Sequence, residues 1–201
     1  MCMAEPLTAK GRATRDRVVD TASALIYERG VTATSLDDVR AAARVSKGQL
    51  YHYFADKDDL VHAVCERTID QVLGGQPAAR DLSSWSGIRR WFDALVDLQR
   101  RRRGIGGCPI GGLASELAKY DDDAREQLAA GYARWEEPLR RGLEAMRAEG
   151  KLRRSADPAR LATATMASLQ GGLLLTQTRR DPEQLRLALD AAYAHLRSFA
   201  T

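Results

Sequence analysis

The sequence predicts an all-α fold of about nine helices, a small three-helix head at the N-terminus followed by a larger helical body. Three observations predict it. Apolar residues recur three and four apart over long stretches, and no stretch sustains the alternation of a half-buried strand. A glycine- and proline-containing break at 74–77 and a glycine-rich one at 104–107 separate these stretches. Two Asp-Pro pairs, Asp157-Pro158 and Asp181-Pro182, set an N-cap residue before a proline suited to the first helical position.

Each element follows from its own residues. Residues 1–13 lack an apolar helical period and read as a mobile tail. A first helix over 14–29 packs through Val19, Ala22, Leu25 and Ile26 and stops at Gly30. Thr34 or Ser35 caps a second helix whose inward positions are Leu36, Val39 and Ala43. After a short turn at Arg44 and Val45, Ser46 caps a third helix with Leu50 and Phe54 inward. Lys57 opens a fourth, ending near Leu73. Ser83 or Ser84 caps a helix bearing Ile88, Trp91, Phe92, Leu95 and Leu98, and Pro109 begins one carrying Leu113 and Leu117. A long helix runs through Leu128, Tyr132, Trp135, Leu139, Leu143 and Met146, with a bend expected at Pro138. The last two start at the Asp-Pro pairs. Asp181 and Gln184 have capping-box spacing, and Leu185, Ala188, Ala192, Leu196 and Phe199 form the final stripe.

Composition narrows the functional classes. The three cysteines, Cys2, Cys65 and Cys108, are too few and too scattered for a disulfide framework, and no two have metal-ligand spacing. No apolar run approaches the roughly 20 residues that cross a bilayer, and the N-terminus carries no secretory segment, so a cytoplasmic protein is expected. There is no Gly-x-Ser-x-Gly elbow, phosphate loop or Gly-x-Gly-x-x-Gly, and His52, His62 and His195 are dispersed. Catalysis, a cofactor and a metal are therefore not expected. The net charge of +4 permits nucleic-acid binding without establishing it.

The local arrangement at residues 34–54 is more specific. Two short helices joined by a tight turn leave Lys47, Gln49, Tyr51 and His52 on the outside of the second. Lys47 supplies charge for phosphate, and the Gln49 amide matches adenine's major-groove edge. The Tyr51 ring can lie on a thymine methyl or reach a phosphate, while His52 and Tyr53 suit phosphate better. Residues 39–54 carry Arg40, Arg44 and Lys47 and no acid, although the first sixty residues hold as many acids as bases. The candidate DNA-binding set is Thr34, Ser35, Arg44, Ser46, Lys47, Gly48, Gln49, Tyr51, His52, Tyr53 and Lys57. Lys10, Arg12 and Arg15 could add phosphate contacts, or belong to an ordinary solvated tail.

The run Val39-Arg40-Ala41-Ala42-Ala43-Arg44-Val45-Ser46-Lys47-Gly48-Gln49-Leu50-Tyr51-His52-Tyr53-Phe54, followed by Asp56-Lys57-Asp58-Asp59-Leu60, resembles the DNA-binding domain of TetR/AcrR-type transcriptional regulators. The likeness extends upstream through the first helix, Gly30, Val31 and Thr34. It implies a helix-turn-helix domain over 1–60 and a ligand-binding and dimerisation domain over 61–201. One position departs from the pattern: Arg44 stands where the family often has glycine, and a positive φ there would cost about 1 kcal/mol. In the C-terminal part, residues 107–117 are similar to those of LmrA/YxaF-like regulators, in which this helix lies above the DNA-binding head.

A head of this size reads one half-site, and such proteins pair so that two recognition helices enter major grooves about 34 Å apart. The resemblance implies a homodimer through the last two helices, with Leu169, Gly172, Leu173 and Thr176 on one and Leu185, Ala188, Leu189, Ala192 and Leu196 on the other. Gly171 and Gly172 would permit close approach. The body suggests a mostly apolar pocket for a small-molecule inducer, with Trp91, Phe92, Leu95, Cys108, Leu113, Leu117, Trp135, Leu139, Met166, Gln170 and Leu174 as candidates; the same residues could equally form core. Cys108, at a helix start near the arginines at 100–103, reads as a packing residue, with a reactive thiol as the alternative. Those arginines suit a solvated helix end or DNA backbone. The leading expectation is a repressor released from a near-palindromic operator in double-stranded DNA by an apolar or amphipathic ligand. The contrasting reading is a helical ligand carrier or partner-binding protein without specific DNA binding.

Overall fold

Capping residues and apolar spacing translate directly into elements. The computed structural model describes residues 8–201. Its helices are α1 (Ala9–Arg29), α2 (Leu36–Ala43), α3 (Lys47–Tyr53), α4 (Lys57–Gly74), α5 (Trp85–Arg101), α6 (Pro109–Leu117), α7 (Asp122–Ala148), α8 (Pro158–Arg179) and α9 (Glu183–Arg197). A 3₁₀ turn, Pro77–Arg80, lies in the expected break after α4. Among the described residues no strand forms; Leu152 and Ala200 make one isolated antiparallel bridge.

Three boundaries differ from expectation. Helix α1 begins before residue 14 because Thr8 caps it, its hydroxyl accepting from the Gly11 N–H at 3.1 Å. Lys10, Arg12 and Ala13 are exposed, so these turns carry no apolar period to read. The expectation for residues 1–7, Cys2 included, lies outside the described residues. At the other end α9 starts at Glu183. Asp181 accepts from the Glu183 N–H at 3.0 Å and from the Gln184 side-chain amide at 2.8 Å, so Gln184 donates where a capping box would have it accept. The final helix ends at Arg197, and Phe199 instead accepts from the Arg153 N–H through its carbonyl. Helix α7 runs through Pro138 without interruption.

The chain packs as two compact units. One comprises the chain through Gln71 together with Gly112–Leu128; the other comprises Val72–Gly111 and Ala129–Thr201. The boundary expected at 60/61 falls inside α4, because Val61, Val64, Cys65 and Ile69 are buried with the head.

In the first unit Val18, Val19, Ala22 and Ile26 of α1, Val39 and Ala43 of α2, and Leu50 and Phe54 are all buried. Arg67 of α4 pairs with Asp16 at 2.6 Å and Asp20 at 3.1 Å, fixing α4 along α1. Arg17 donates to the Ala43 carbonyl at 3.2 Å. Two polar contacts tie 112–128 into this unit. The Glu116 carboxylate accepts from the Val31 N–H at 2.7 Å, beside Gly30, whose φ of 86° leaves no room for a side chain next to that carboxylate. His62 Nε2 lies 2.9 Å from Asp121 Oδ2.

Asp121 also caps the first turn of α7, accepting from the Ala124 N–H at 2.8 Å. That hydrogen bond first, and His62 after it, holds the Asp121 carboxyl below its ordinary range despite partial burial. A lowered folded-state pKa stabilises the fold above the ordinary carboxylate range and loses that contribution as pH falls through the folded value. Asp121→Ala is expected to cost about 1 kcal/mol at neutral pH. Urea titrations at neutral and strongly acidic pH should show the gap between variant and parent closing in acid. A gap that persists undiminished would mean the carboxylate's charge is not what stabilises this turn.

In the second unit α8 and α9 pack most extensively on each other. A Cβ on Gly172 would lie 2.9 Å from Ala188 Cβ and from Leu185 Cδ1, so the glycine permits this close approach. The buried Thr176 hydroxyl accepts from the Leu185 N–H at 3.1 Å. Arg186 pairs with Asp93 at 2.6 Å and joins α9 to α5. Gln76 closes the bottom of this unit. Its side-chain oxygen accepts from both buried indoles, Trp91 at 2.9 Å and Trp135 at 3.1 Å, and its amide donates to the Val72 carbonyl at 3.0 Å.

Candidate nucleic-acid interface

The turn between α2 and α3 hinges on Arg44, which adopts φ 53° and ψ 51°. Its N–H reaches the Ala41 carbonyl at 3.3 Å, and the Val45 N–H reaches the Arg40 carbonyl at 3.2 Å, closing α2 in a left-handed cap. The conformation expected to be costly for arginine is thus adopted. Arg44→Gly should raise stability by up to about 1 kcal/mol in denaturant melts. A lower melting midpoint would show that the arginine side chain contributes more than its backbone strain costs.

Both short helices are locked at their N-termini. Ser35 accepts from the Asp38 N–H at 3.1 Å while Asp38 accepts from the Ser35 N–H at 2.9 Å. Ser46 and Gln49 repeat the arrangement, at 3.1 Å and 2.9 Å. The seven residues of α3 therefore form a helix held by reciprocal capping and by the buried Leu50, with Phe54 closing its C-terminal end.

This places the sequence-predicted residues unevenly. Lys47, Gly48, Gln49, Tyr51 and His52 are exposed along α3, as are Ser35, Arg44 and Ser46 at the caps and turn. The Lys47 ammonium lies 5.8 Å from the Tyr51 ring centroid. Among the described residues, a Cβ on Gly48 would meet nothing within 4 Å beyond its own helix backbone and chain neighbours, so that edge of the helix is open. Tyr53 is half-buried, edge-on to His52 at 5.0 Å, and Lys57 is half-buried at the start of α4. Thr34 is a correction. Only 2% exposed, it donates its hydroxyl to the Gly30 carbonyl at 2.9 Å, so it braces the α1–α2 turn and offers nothing outward. Gln49 is a partial correction, since its amide oxygen is occupied by the Ser46 N–H and only the NH₂ end is free to read a base. Arg40 pairs with Asp37 at 3.0 Å, leaving Arg44 and Lys47 as the exposed cations of the turn. Arg15 lies over the Phe54 ring at 5.3 Å.

The body residues also sort by burial. Trp91, Phe92, Leu95, Trp135, Leu139 and Met166 are buried in the second unit, and Leu113 and Leu117 are buried in the first. Cys108 and Gln170 are half-buried, whereas Leu174 is 63% exposed and lines no interior. Tyr132, expected only as a packing residue, joins this set: its hydroxyl donates to Gln170 at 3.4 Å, and the Gln170 amide approaches the Met166 sulfur at 3.6 Å. Cys108 Sγ accepts from the Gly111 N–H at 3.4 Å. Burial pushes the Cys108 thiol up, outweighing that helix N–H, and the packing reading of Cys108 fits a neutral thiol. Burial likewise pushes the Cys65 thiol up to about 12, with Asp121 adding to it.

The expected interface residues of α8 and α9 need the same correction. Leu169, Gly172, Leu173, Thr176, Leu185, Leu189, Ala192 and Leu196 are buried within the chain itself, and Ala188 is half-buried against Gly172. These residues are covered within the chain, Gly172 directly by Ala188 and Leu185. The apolar surface the two helices leave outward is Leu174, Leu175 and Leu187, at 63%, 42% and 59% exposure, with Gly171 open on the same helix as the first two. No described helix is long and apolar enough to cross a membrane.

A doubly capped short helix, set by a left-handed turn on a packed three-helix base and carrying cationic, amide and aromatic groups outward, defines a helix-turn-helix DNA-binding transcriptional regulator. Comparison with known proteins gives the family. Residues 18–64 match the family described as bacterial regulatory proteins, tetR family, and residues 86–192 match the tetracyclin repressor-like C-terminal domain. The chain belongs to the TetR family of transcriptional regulators and is not an enzyme. It is similar to the HTH-type transcriptional repressor DhaR of Mycobacterium sp. (strain GP1), 26% identical over 90% of this chain and 91% of that one. It is also similar to the uncharacterized HTH-type regulator YxaF of Bacillus subtilis, 27% identical over 90% and 93%, in keeping with the likeness read at 107–117. The crystal structure of a TetR regulator from Chloroflexus aurantiacus is 27% identical, covers 96% of each chain and superposes with a TM-score of 0.79.

Proposed function

We propose that the protein is a dimeric repressor that binds a near-palindromic operator and is released from it by a small apolar or amphipathic molecule. The observation that carries this reading is the exposed array on α3, in which Lys47, Tyr51 and His52 have no structural task large enough to account for them. Lys47, Arg44, the Ser46 cap and Lys57 would engage phosphates, and Tyr51 with the free end of Gln49 would face base edges. Gly48 would allow the backbone of α3 to approach the duplex closely. The site of action is then the cytoplasm, where the DNA is.

Dimerisation is supported by Leu174, Leu175 and Leu187, large apolar side chains left in water on the two helices of the second unit that pack most closely. Ligand response is supported by the half-buried Cys108, Tyr132 and Gln170: the hydrogen bond from Tyr132 to Gln170 is long, at 3.4 Å, and Cys108 interacts with both side chains. A ligand worth a coupling of about 1–3 kcal/mol would lower operator affinity several-fold or more.

The test is fluorescence-anisotropy titration of the protein against DNA upstream of its own and adjacent genes, alongside light scattering of the free protein. Salt-sensitive binding at two protomers per site supports the reading. Leu174→Arg with Leu187→Arg is expected to yield a folded monomer at micromolar concentration with operator binding reduced at least tenfold, since one head reads half a site. A variant that keeps the parent's mass would place the dimer contact elsewhere.

A further inference from the structure

The second unit carries a cleft of about 650 Å³ between the 3₁₀ turn and the middle of α7. It shares Trp135 alone with the ligand-binding residues expected from sequence. Its chemistry is two-sided. Leu73, Leu82, Trp135 and Pro138 contribute apolar lining, while three arginines, Arg80, Arg134 and Arg141, line the same space. The one carboxylate in the lining, Asp81, is turned to Ser83, accepting from its hydroxyl at 2.7 Å and its N–H at 3.2 Å.

Two of these cations, Arg80 and Arg141, are weakly committed within the fold. Arg80 makes no ion pair among the described residues. Arg141 approaches Glu137 at 3.6 Å, because both oxygens of that carboxylate are taken by Arg140 at 2.7 Å each. The floor, by contrast, is rigid. Gln76 is held by two indoles and the Val72 carbonyl. The backbone at 81–82 is clamped between two glycines, since a Cβ on Gly87 would run into the Asp81 carbonyl and one on Gly142 into the Leu82 carbonyl. A preformed cleft costs a ligand little ordering.

We propose that this cleft binds an amphipathic organic carboxylate, its head on Arg80 and Arg141 and its hydrocarbon against Trp135, Leu73 and Leu82. The planar fork of arginine matches a carboxylate, and the two weakly paired arginines, Arg80 and Arg141, beside an indole select an anion with an apolar tail over either a neutral lipid or an inorganic ion. The volume falls in the range of small-molecule sites and suits a medium-length chain. This site shares only Trp135 with the expected inducer pocket, and the proposal holds whether or not that reading does.

Calorimetry with the full chain tests it, using octanoate as the probe, octanol as its neutral counterpart, and Arg80→Ala/Arg141→Ala as the variant. Both arginines are exposed, so the variant is expected to keep its circular dichroism and melting temperature. The expected result is saturable octanoate binding at one per chain, weakened by salt and at least about tenfold weaker in the variant, with octanol binding weaker than octanoate. Three results would overturn the proposal: no saturable octanoate binding, equal binding of octanol and octanoate, or a variant that binds octanoate as the parent does. The last would put the carboxylate in another cavity.

Discussion

Replacing Tyr51 by alanine is expected to weaken specific operator binding by about 1–3 kcal/mol, with the fold intact. The side chain is 48% exposed, and its recorded partner is the Lys47 ammonium. Nothing in the core depends on it, so a loss of affinity reports on DNA. Lys47→Ala should act differently, weakening binding to all sequences alike and lowering the salt slope by about one for each phosphate contact removed, hence about two in a dimer. Gln49→Ala is the less informative variant. Its amide oxygen closes the capping box of α3 at 2.9 Å, so its removal should also cost on the order of 1 kcal/mol of stability. Anisotropy titrations at several salt concentrations, each paired with a thermal melt, separate the three. A Tyr51→Ala protein that binds operator like its parent would move the reading face off α3.

Gln76→Leu should be the most damaging conservative change in the body. The leucine fills a similar volume but leaves the indole N–H groups of Trp91 and Trp135, side chains of residues only 1% and 4% exposed, without their common acceptor. A buried donor stripped of its partner costs roughly 1–3 kcal/mol, so the pair should cost about 3 kcal/mol. For a chain of this size that corresponds to a melting temperature lower by roughly 6–12 °C at fixed protein concentration. Gln76→Glu keeps an acceptor and is expected to recover part of the loss. A Leu variant that melts with the parent would mean that water reaches both indoles.

Much of the fold was legible because capping and periodicity are local. Ser46 and Asp157 cap the helices that their spacing predicted, and Ser35 and Ser84 are the caps in the two pairs of candidates that the sequence left open. The register of α3 followed from Leu50 and Phe54, four apart, and with it the outward set Lys47, Gln49, Tyr51 and His52. What failed was the assignment of faces with two possible partners. The apolar stripes of α8 and α9 read equally well as a surface for a second copy, and it took the packing of Gly172 on Ala188 and Leu185 to show that they are spent inside the chain. Leu174 belonged to the outside for the same reason.

Polar side chains were the other blind spot. Thr34 looks like a cap residue and lies in the motif, yet its hydroxyl serves Gly30 four residues back. Gln76 sits in a Gly-Gly-Gln-Pro break that reads as mere loop. The available signal was the two downstream tryptophans, because a buried indole needs an acceptor, but sequence does not say which acceptor comes within 3 Å. The arginines of the cleft, at positions 80, 134 and 141, carry no local pattern at all.

The sequence by itself determined the helices, their caps, the helix-turn-helix and its outward chemistry, since each depends on residues within a turn or two of one another. Only the tertiary structure decided which apolar faces are consumed within the chain, that Gln76 joins two indoles, and that distant arginines share one cleft. Those depend on contacts between residues far apart in the chain, and a burial pattern along one helix records that a side chain is covered without recording by what.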